Sequence, residues 1–232
     1  MSKILFCPAL QEELEKYGLS SLCSIEPQQD GEGDNTYPEP RKIFVKYRSA
    51  WAEPMEYLSP IVMLEIGAGS LLEPNEQTYI RSMEEELFPS SQTTLVDSQV
   101  TTALASKTFL EKAFLLHELF SVEGRGDIAE RKSRHLYDLS KMIDEDFALK
   151  AIGDDDLWES IRHHREVFTS VRGMDYTPDV RKQIVLVPPS EIQAAWEQDY
   201  KSMCSSMIFG GKPTFKELLE RMHELEKRFH EV

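Results

Sequence analysis

Hydrophobic and polar positions alternate differently in the two halves of this chain. Up to about residue 100, short apolar runs are separated by polar, turn-rich stretches. After Ser106, apolar residues recur at helical spacing almost to the end. Residues 8 to 19, with Leu10, Leu14, Tyr17 and Leu19, predict a short amphipathic helix. From Glu26 to Arg41 the crowding of Gly, Pro, Asn, Asp and Gln breaks both periodicities and predicts an exposed loop. Two strands are expected next. Lys42 to Arg48 alternates Ile43, Val45 and Tyr47 against Phe44, and Ser59 to Gly67 is apolar almost throughout around Glu65. An unbroken apolar strand of this kind is normally covered on both faces. A helix over Asn75 to Leu87 and a weaker strand over Gln92 to Val100 complete this lobe.

The second half predicts helices over Thr108–Ser121, Ile128–Ala148, Asp155–Arg172, Pro189–Met207 and Pro213–His230. Turns fall at Asp175–Pro178 and Gly210–Pro213, and Gln183–Val187 reads as a short extended stretch. A boundary near residues 101 to 107 divides the chain into 1–105, a strand-bearing lobe, and 106–232, a helical bundle. The pattern is that of an α+β protein.

Composition narrows the function classes. A chain of 232 residues with 41% hydrophobic and 29% charged positions is a soluble globular type, long enough for one sizeable core. The net charge of −15 argues against coating nucleic acid with the whole surface, since phosphate binding depends on clustered cations. One local exception is Arg125, Arg131, Lys132, Arg134 and His135, five basic residues within eleven positions, which on spacing alone is more readily a solvated helix face. Cys7, Cys23 and Cys204 are widely spaced and odd in number, which suggests neither a disulfide framework nor a zinc site. With no signal-like segment and no run of apolar residues long enough to span a bilayer, the expected location is the cytoplasm.

Three residues stand out for chemistry. Thr108 and Glu111 have capping-box spacing, and a helix framed by them puts Lys112 among Phe109, Leu115, Leu116 and Leu119 on the apolar face. Such a lysine either snorkels to water or meets an anion, because an unpaired buried ammonium is costly. Glu65 is the mirror case, an acid inside an apolar strand that faces either a cleft or the water at a sheet edge. Asp138 lies away from the stripe Leu136, Leu139, Ile143 and Phe147, either as an i,i+4 partner of Arg134 or beside Lys112 across a cleft. The Asp154–Asp156 run precedes Leu157, Trp158 and Ile161 and reads as a helix N-cap. His163 and His164 have no metal-ligand spacing around them, and Gly67–Ser70 lacks the pattern of a phosphate loop.

Two runs, Thr108-Phe-Leu-Glu-Lys112-Ala-Phe-Leu-Leu-His117 and Ser133-Arg134-His135-Leu-Tyr137-Asp138-Leu139, resemble the AbiEii/AbiGii nucleotidyltransferase toxin family of type IV toxin–antitoxin systems. The likeness extends to Val62-Met-Leu-Glu65-Ile and to Trp196-Glu-Gln-Asp199-Tyr200. It implies a partial polymerase-β-like nucleotidyltransferase sheet followed by the helical bundle. The implied reaction is transfer of a nucleotide from an NTP, with Mg²⁺, to an acceptor such as tRNA, and the implied partner is a cognate antitoxin. By the same resemblance Lys112, Asp138 and Glu65 are the catalytic candidates, Lys112, Arg134 and His135 the nucleotide-binding ones, and Glu65 the metal-binding one. The family's Gly-Gly/Ser helix start and Asp-x-Asp strand do not occur upstream of Arg41. The expectation is therefore a homologue that starts inside the fold, inactive alone or completed by a separately encoded N-terminal segment. The alternative is a non-catalytic binding module for a protein partner or an RNA.

Overall fold

The computed structural model describes residues 2–28, 41–49, 59–66, 73–81, 86–88 and 98–232. The first half carries helix α1 (Ser2–Lys16) and strands β1 (Cys23–Pro27), β2 (Arg41–Tyr47), β3 (Ile61–Ile66), β4 (Asn75–Ile80) and β5 (Ser98–Ala103). Strands β1, β2 and β3 form an antiparallel sheet in that order, with Ile25 opposite Val45 and Lys42 opposite Glu65. Strands β4 and β5 form a separate antiparallel pair, with Gln77 opposite Thr101.

The second half is helical: α2 (Ala105–Ser121), α3 (Ser133–Met142), α4 (Asp146–Ile152), α5 (Asp155–His164), a π-helical turn (Arg165–Thr169), a 3-10 helix (Pro178–Gln183), α6 (Gln193–Ser206) and α7 (Phe215–His230). The fold class is mixed α+β, as expected, with the helices concentrated in the C-terminal half.

The core is almost wholly helical. Along α7, Phe215, Leu218, Met222, Leu225 and Phe229 recur at intervals of three and four and are all buried, which is the stripe that drives a helix onto its neighbours. Phe109 of α2 stacks on Phe229 at 6.2 Å, and Phe114 lies 4.4 Å from Trp158 of α5. Helix α7 starts at a true capping box, in which Thr214 accepts from the Glu217 amide at 3.2 Å and the Glu217 carboxylate accepts from the Thr214 amide at 2.6 Å. Helix α5 starts at Asp154, whose carboxylate accepts from the Leu157 amide at 3.0 Å, as its sequence predicts.

Several sequence expectations are corrected. Helix α2 begins at Ala105 and not at Thr108. The Thr108 amide already bonds Leu104 inside the first turn, and Glu111 pairs with the buried Lys107 at 3.7 Å, so no capping box forms there. The stretch from Asn75 is a strand to Ile80, because Thr78 bonds Thr102 across the pair at 2.7 Å and Gln77 bonds Thr101 at 2.6 Å. Residues 82–85 of that expected helix lie outside the described residues, as do 92–97 of the next expected strand and 67–70. Glu26 and Pro27 belong to strand β1, which the turn-rich composition concealed, while 29–40 lie outside the described residues. The apolar strand is not covered on both faces: β3 is the edge of its sheet among the described residues, and Val62, Met63 and Leu64 are exposed. The long helix expected from Ile128 is two, α3 and α4, and Gly124 to Lys132 is a loop. Gln183–Val187 joins no strand. Its amides bond side chains, Val185 to His117 at 3.0 Å and Leu186 to Glu226 at 2.6 Å.

Inside the bundle sits a charge that no periodicity announces. Glu118 of α2 is fully buried, and its carboxylate takes both arms of Arg165 at 2.8 and 2.5 Å and the Tyr176 hydroxyl at 2.8 Å. Burial and the neighbouring carboxylate push the Tyr176 phenol well above its usual range. His117, beside it, uses Nδ1 to accept from the Val185 amide, so the imidazole is neutral with its proton on Nε2. Burial lowers its pKa from 6.5 to about 4.

Two predictions follow from this core. Glu118→Ala leaves Arg165 without its carboxylate in a water-poor site and is expected to cost about 3–5 kcal/mol in urea unfolding; a loss within about 0.5 kcal/mol would show the pair to be dispensable. His117 binds its proton near pH 6.5 when unfolded and near 4 when folded, so between those values the unfolded state holds more protons and stability is lost as the pH is lowered. Urea midpoints should decline from about pH 6.5 to about pH 4, and His117→Gln should flatten that decline.

Candidate functional site

Helix α2 is buried on most of its circumference, and the stripe Thr108, Glu111, Lys112 and Leu115 is only partly so. These positions are three, four and seven apart, which is one face of a helix. Lys112 therefore stands on the open side of α2, among neighbours that periodicity had assigned to the core. Its ammonium reaches Asp138 of α3 at 2.7 Å, with the lysine side chain 23% and the aspartate side chain 38% exposed. Of the partners open to Asp138 in the sequence, the structure selects Lys112.

Beside this pair a cleft of about 870 Å³ opens between the three-stranded sheet and the α2–α3 corner. Lys42, Phe44, Ile61, Met63 and Glu65 form the sheet wall, and Leu115 and Leu119 contribute from α2. The opposite wall is the Gly124–Lys132 loop with the first turn of α3. The five residues of the basic run, Arg125, Arg131, Lys132, Arg134 and His135, all line this cleft and do not form a solvated helix face. Among the described residues they and Lys42 share the lining with the carboxylates Glu65 and Glu130, so this lining is locally cationic in a chain of net charge −15.

The sequence-predicted residues thus fall into two neighbouring groups. Lys112 and Asp138 are joined to each other, while Glu65, Arg134 and His135 share the cleft, whose lining includes neither member of the pair. Glu65 lies opposite Lys42 in the sheet and 3.7 Å from its ammonium. His135 connects the groups electrically. Burial first, then the charges of Lys112, Arg134 and Lys132, lower its pKa from 6.5 to about 3, so it faces the cleft as a neutral imidazole at physiological pH. Its Nδ1 is buried and has no hydrogen-bond partner among the described residues.

A divalent cation needs several oxygen ligands converging on one point. Among the described residues no three of His, Cys, Asp and Glu come together, and Glu65 is shared with Lys42. These residues do not fit a metal ion, and Glu65 alone does not make a site. No helix among them is long and apolar enough to cross a membrane.

Sequence reasoning passed over Asp199 and Trp196 as site components. Asp199 of α6 accepts from the Arg131 amide at 2.7 Å, the Ser133 amide at 3.0 Å and the Ser133 hydroxyl at 2.5 Å, which closes the N-terminal turn of α3. Trp196, one turn earlier on α6, donates its indole N–H to the Gly126 carbonyl at 2.8 Å. The only advance signal was that both lie in the Trp196–Tyr200 run, whose spacing of three places them on one helix face.

The ion pair generates a prediction. Being half-buried, Lys112–Asp138 should couple by about 1 kcal/mol in a double-mutant cycle of Lys112→Met and Asp138→Asn read by urea unfolding. Additive losses would mean that the two groups act independently.

The residues that carry the cleft and its cations lie within a family match. The model for the nucleotidyl transferase AbiEii toxin of type IV toxin–antitoxin systems matches residues 9–221. No curated protein and no solved structure matches the chain. With α1 to α7 and both sheets inside the matched span, save the first residues of α1 and the last turns of α7, this chain belongs to the AbiEii nucleotidyl transferase toxin family.

Proposed function

We propose that the protein is the nucleotidyltransferase-like toxin of a toxin–antitoxin pair, and that its cleft holds the polyphosphate of an NTP on the way to an acceptor such as tRNA. One observation carries the reading: among the described residues, five cations, Lys42, Arg125, Arg131, Lys132 and Arg134, and two carboxylates line a cleft in a strongly acidic protein. In phosphoryl and nucleotidyl transfer the protein contributes mainly positioning and charge stabilisation, and this wall is suited to both. Lys112, its charge matched by Asp138, holds an ammonium donor in a fixed place beside it, and Arg134 offers a planar fork for phosphate oxygens. Neutral His135 contributes a hydrogen bond in place of a charge. The sheet of residues 1–105 and the helical unit of 106–232 supply opposite walls, so the division of the chain runs through the site.

The reading assigns this chain the anion-binding part of the reaction. The described residues offer Mg²⁺ no ligand set. Family membership implies a cognate antitoxin as partner. A second reading, a non-catalytic binding module, is favoured by one observation: Lys112 already has its counter-ion at 2.7 Å, as a structural lysine would.

Transfer is tested with labelled NTPs, Mg²⁺ and total tRNA, using the chain alone and together with the product of the adjacent upstream reading frame. Label on RNA in either mixture supports the enzyme. NTP binding by calorimetry should weaken about tenfold in Arg134→Ala, the loss of one charge-assisted contact. Absence of both binding and transfer, with a stable protein partner recovered, would leave the binding module.

A further inference from the structure

The cationic wall is a loop, and a loop without a regular ladder of its own must be held by the elements around it. Within it Arg131 has φ +58, a left-handed backbone that an L residue adopts only under constraint. The constraint comes from one face of α6. At the near end of the loop, Trp196 bonds the Gly126 carbonyl and packs edge-on against Phe120 of α2, with ring centres 4.7 Å apart. Gly126 is pressed so close that a Cβ there would lie 2.8 Å from Ile192 Cδ1 and 3.0 Å from the Leu119 carbonyl. At the far end, the two oxygens of Asp199 collect three donors, the Arg131 amide, the Ser133 amide and the buried Ser133 hydroxyl. Asp199 thus fixes the one residue of the loop whose backbone is strained and the first turn of the helix that carries Arg134 and His135.

We infer that Asp199 is a positioning residue for the anion-binding cleft, acting through the backbone of Arg131 and Ser133, with Trp196 as its counterpart at Gly126. The inference rests on the anion-binding reading of the cleft. Asp199 touches no ligand in this scheme. Its carboxylate is engaged by three donors, and its negative charge sits at the positive end of α3. Asparagine cannot replace it, because its single carbonyl oxygen serves one side of the contact and its amide would meet a further N–H donor.

The test uses the full chain and inorganic tripolyphosphate as the probe. In Asp199→Asn the circular dichroism of the bundle should be retained and amide exchange over residues 124–135 should accelerate. The Kd for tripolyphosphate should rise about tenfold, with a shallower dependence on salt as cations leave the wall. Ser133→Ala, which removes one of the three donors and leaves no charge unmatched, should change exchange and affinity in the same direction by roughly threefold, and it serves if the first variant does not fold. Unchanged exchange over 124–135 overturns the inference, and so does faster exchange with unaltered tripolyphosphate affinity, since Asp199 would then be a helix cap alone. Failure of the unaltered protein to bind tripolyphosphate overturns the anion-binding cleft itself and the inference with it, an outcome visible before any variant is made.

Discussion

Helix α2 is enclosed by α3, α4 and α5 and is buried at ten of its seventeen positions, including three that are ionisable: Lys107, His117 and Glu118. A helix so enclosed has little freedom to turn about its axis, because rotation would expose Phe109, Phe114 and Leu116 and would part Glu118 from Arg165 and Tyr176. The orientation of Lys112 is a by-product of that lock. Close packing on one side of the cylinder decides what the other side presents.

The arrangement of charge follows the same division. The buried acid Glu118 is neutralised inside the bundle by Arg165, and exposed acids are matched with arginines, such as Glu159 with Arg162 on α5 and Asp144, between α3 and α4, with Arg221 and Arg228 of α7. The cations of the Gly124–Lys132 loop are gathered at the cleft instead. A chain of net charge −15 can thus hold a small field of opposite sign, sharpened by the apolar floor of Leu115, Leu119 and Ile61 around it.

How much of this was legible in the sequence depended on the range of the interactions involved. Helices with a regular stripe were readable, as α7 shows, and so was the local N-cap at Asp154, since three residues suffice to encode it. The Lys112–Asp138 pairing was readable as one of two options, and only the packing of α2 on α3 chose between them. The capping box was misplaced because Thr-x-x-Glu occurs at both 108 and 214, and only at 214 does the preceding chain arrive extended, with Thr214 at φ −67 and ψ 159. The basic run was misread as a helix face because the loop that carries it is held by Trp196 and Asp199, more than sixty residues away in sequence. Strand β4 was mistaken for a helix because Gln77 and Thr78 are held by Thr101 and Thr102 of β5, which no pattern within Asn75–Ile80 contains.

The π-helical turn at Arg165–Thr169 has a consequence of another kind. Arg162 and Arg165 both reach inward, one to the Tyr176 carbonyl and the other to Glu118, and the wider turn that starts at Arg165 sets the phase at which the following chain brings Tyr176 back to the same acid. A π turn amounts to one residue more than the α path requires. The length of this segment therefore matters: a one-residue deletion between Arg165 and Thr169 would rotate the following chain by about a quarter turn and carry the Tyr176 hydroxyl away from its buried acid.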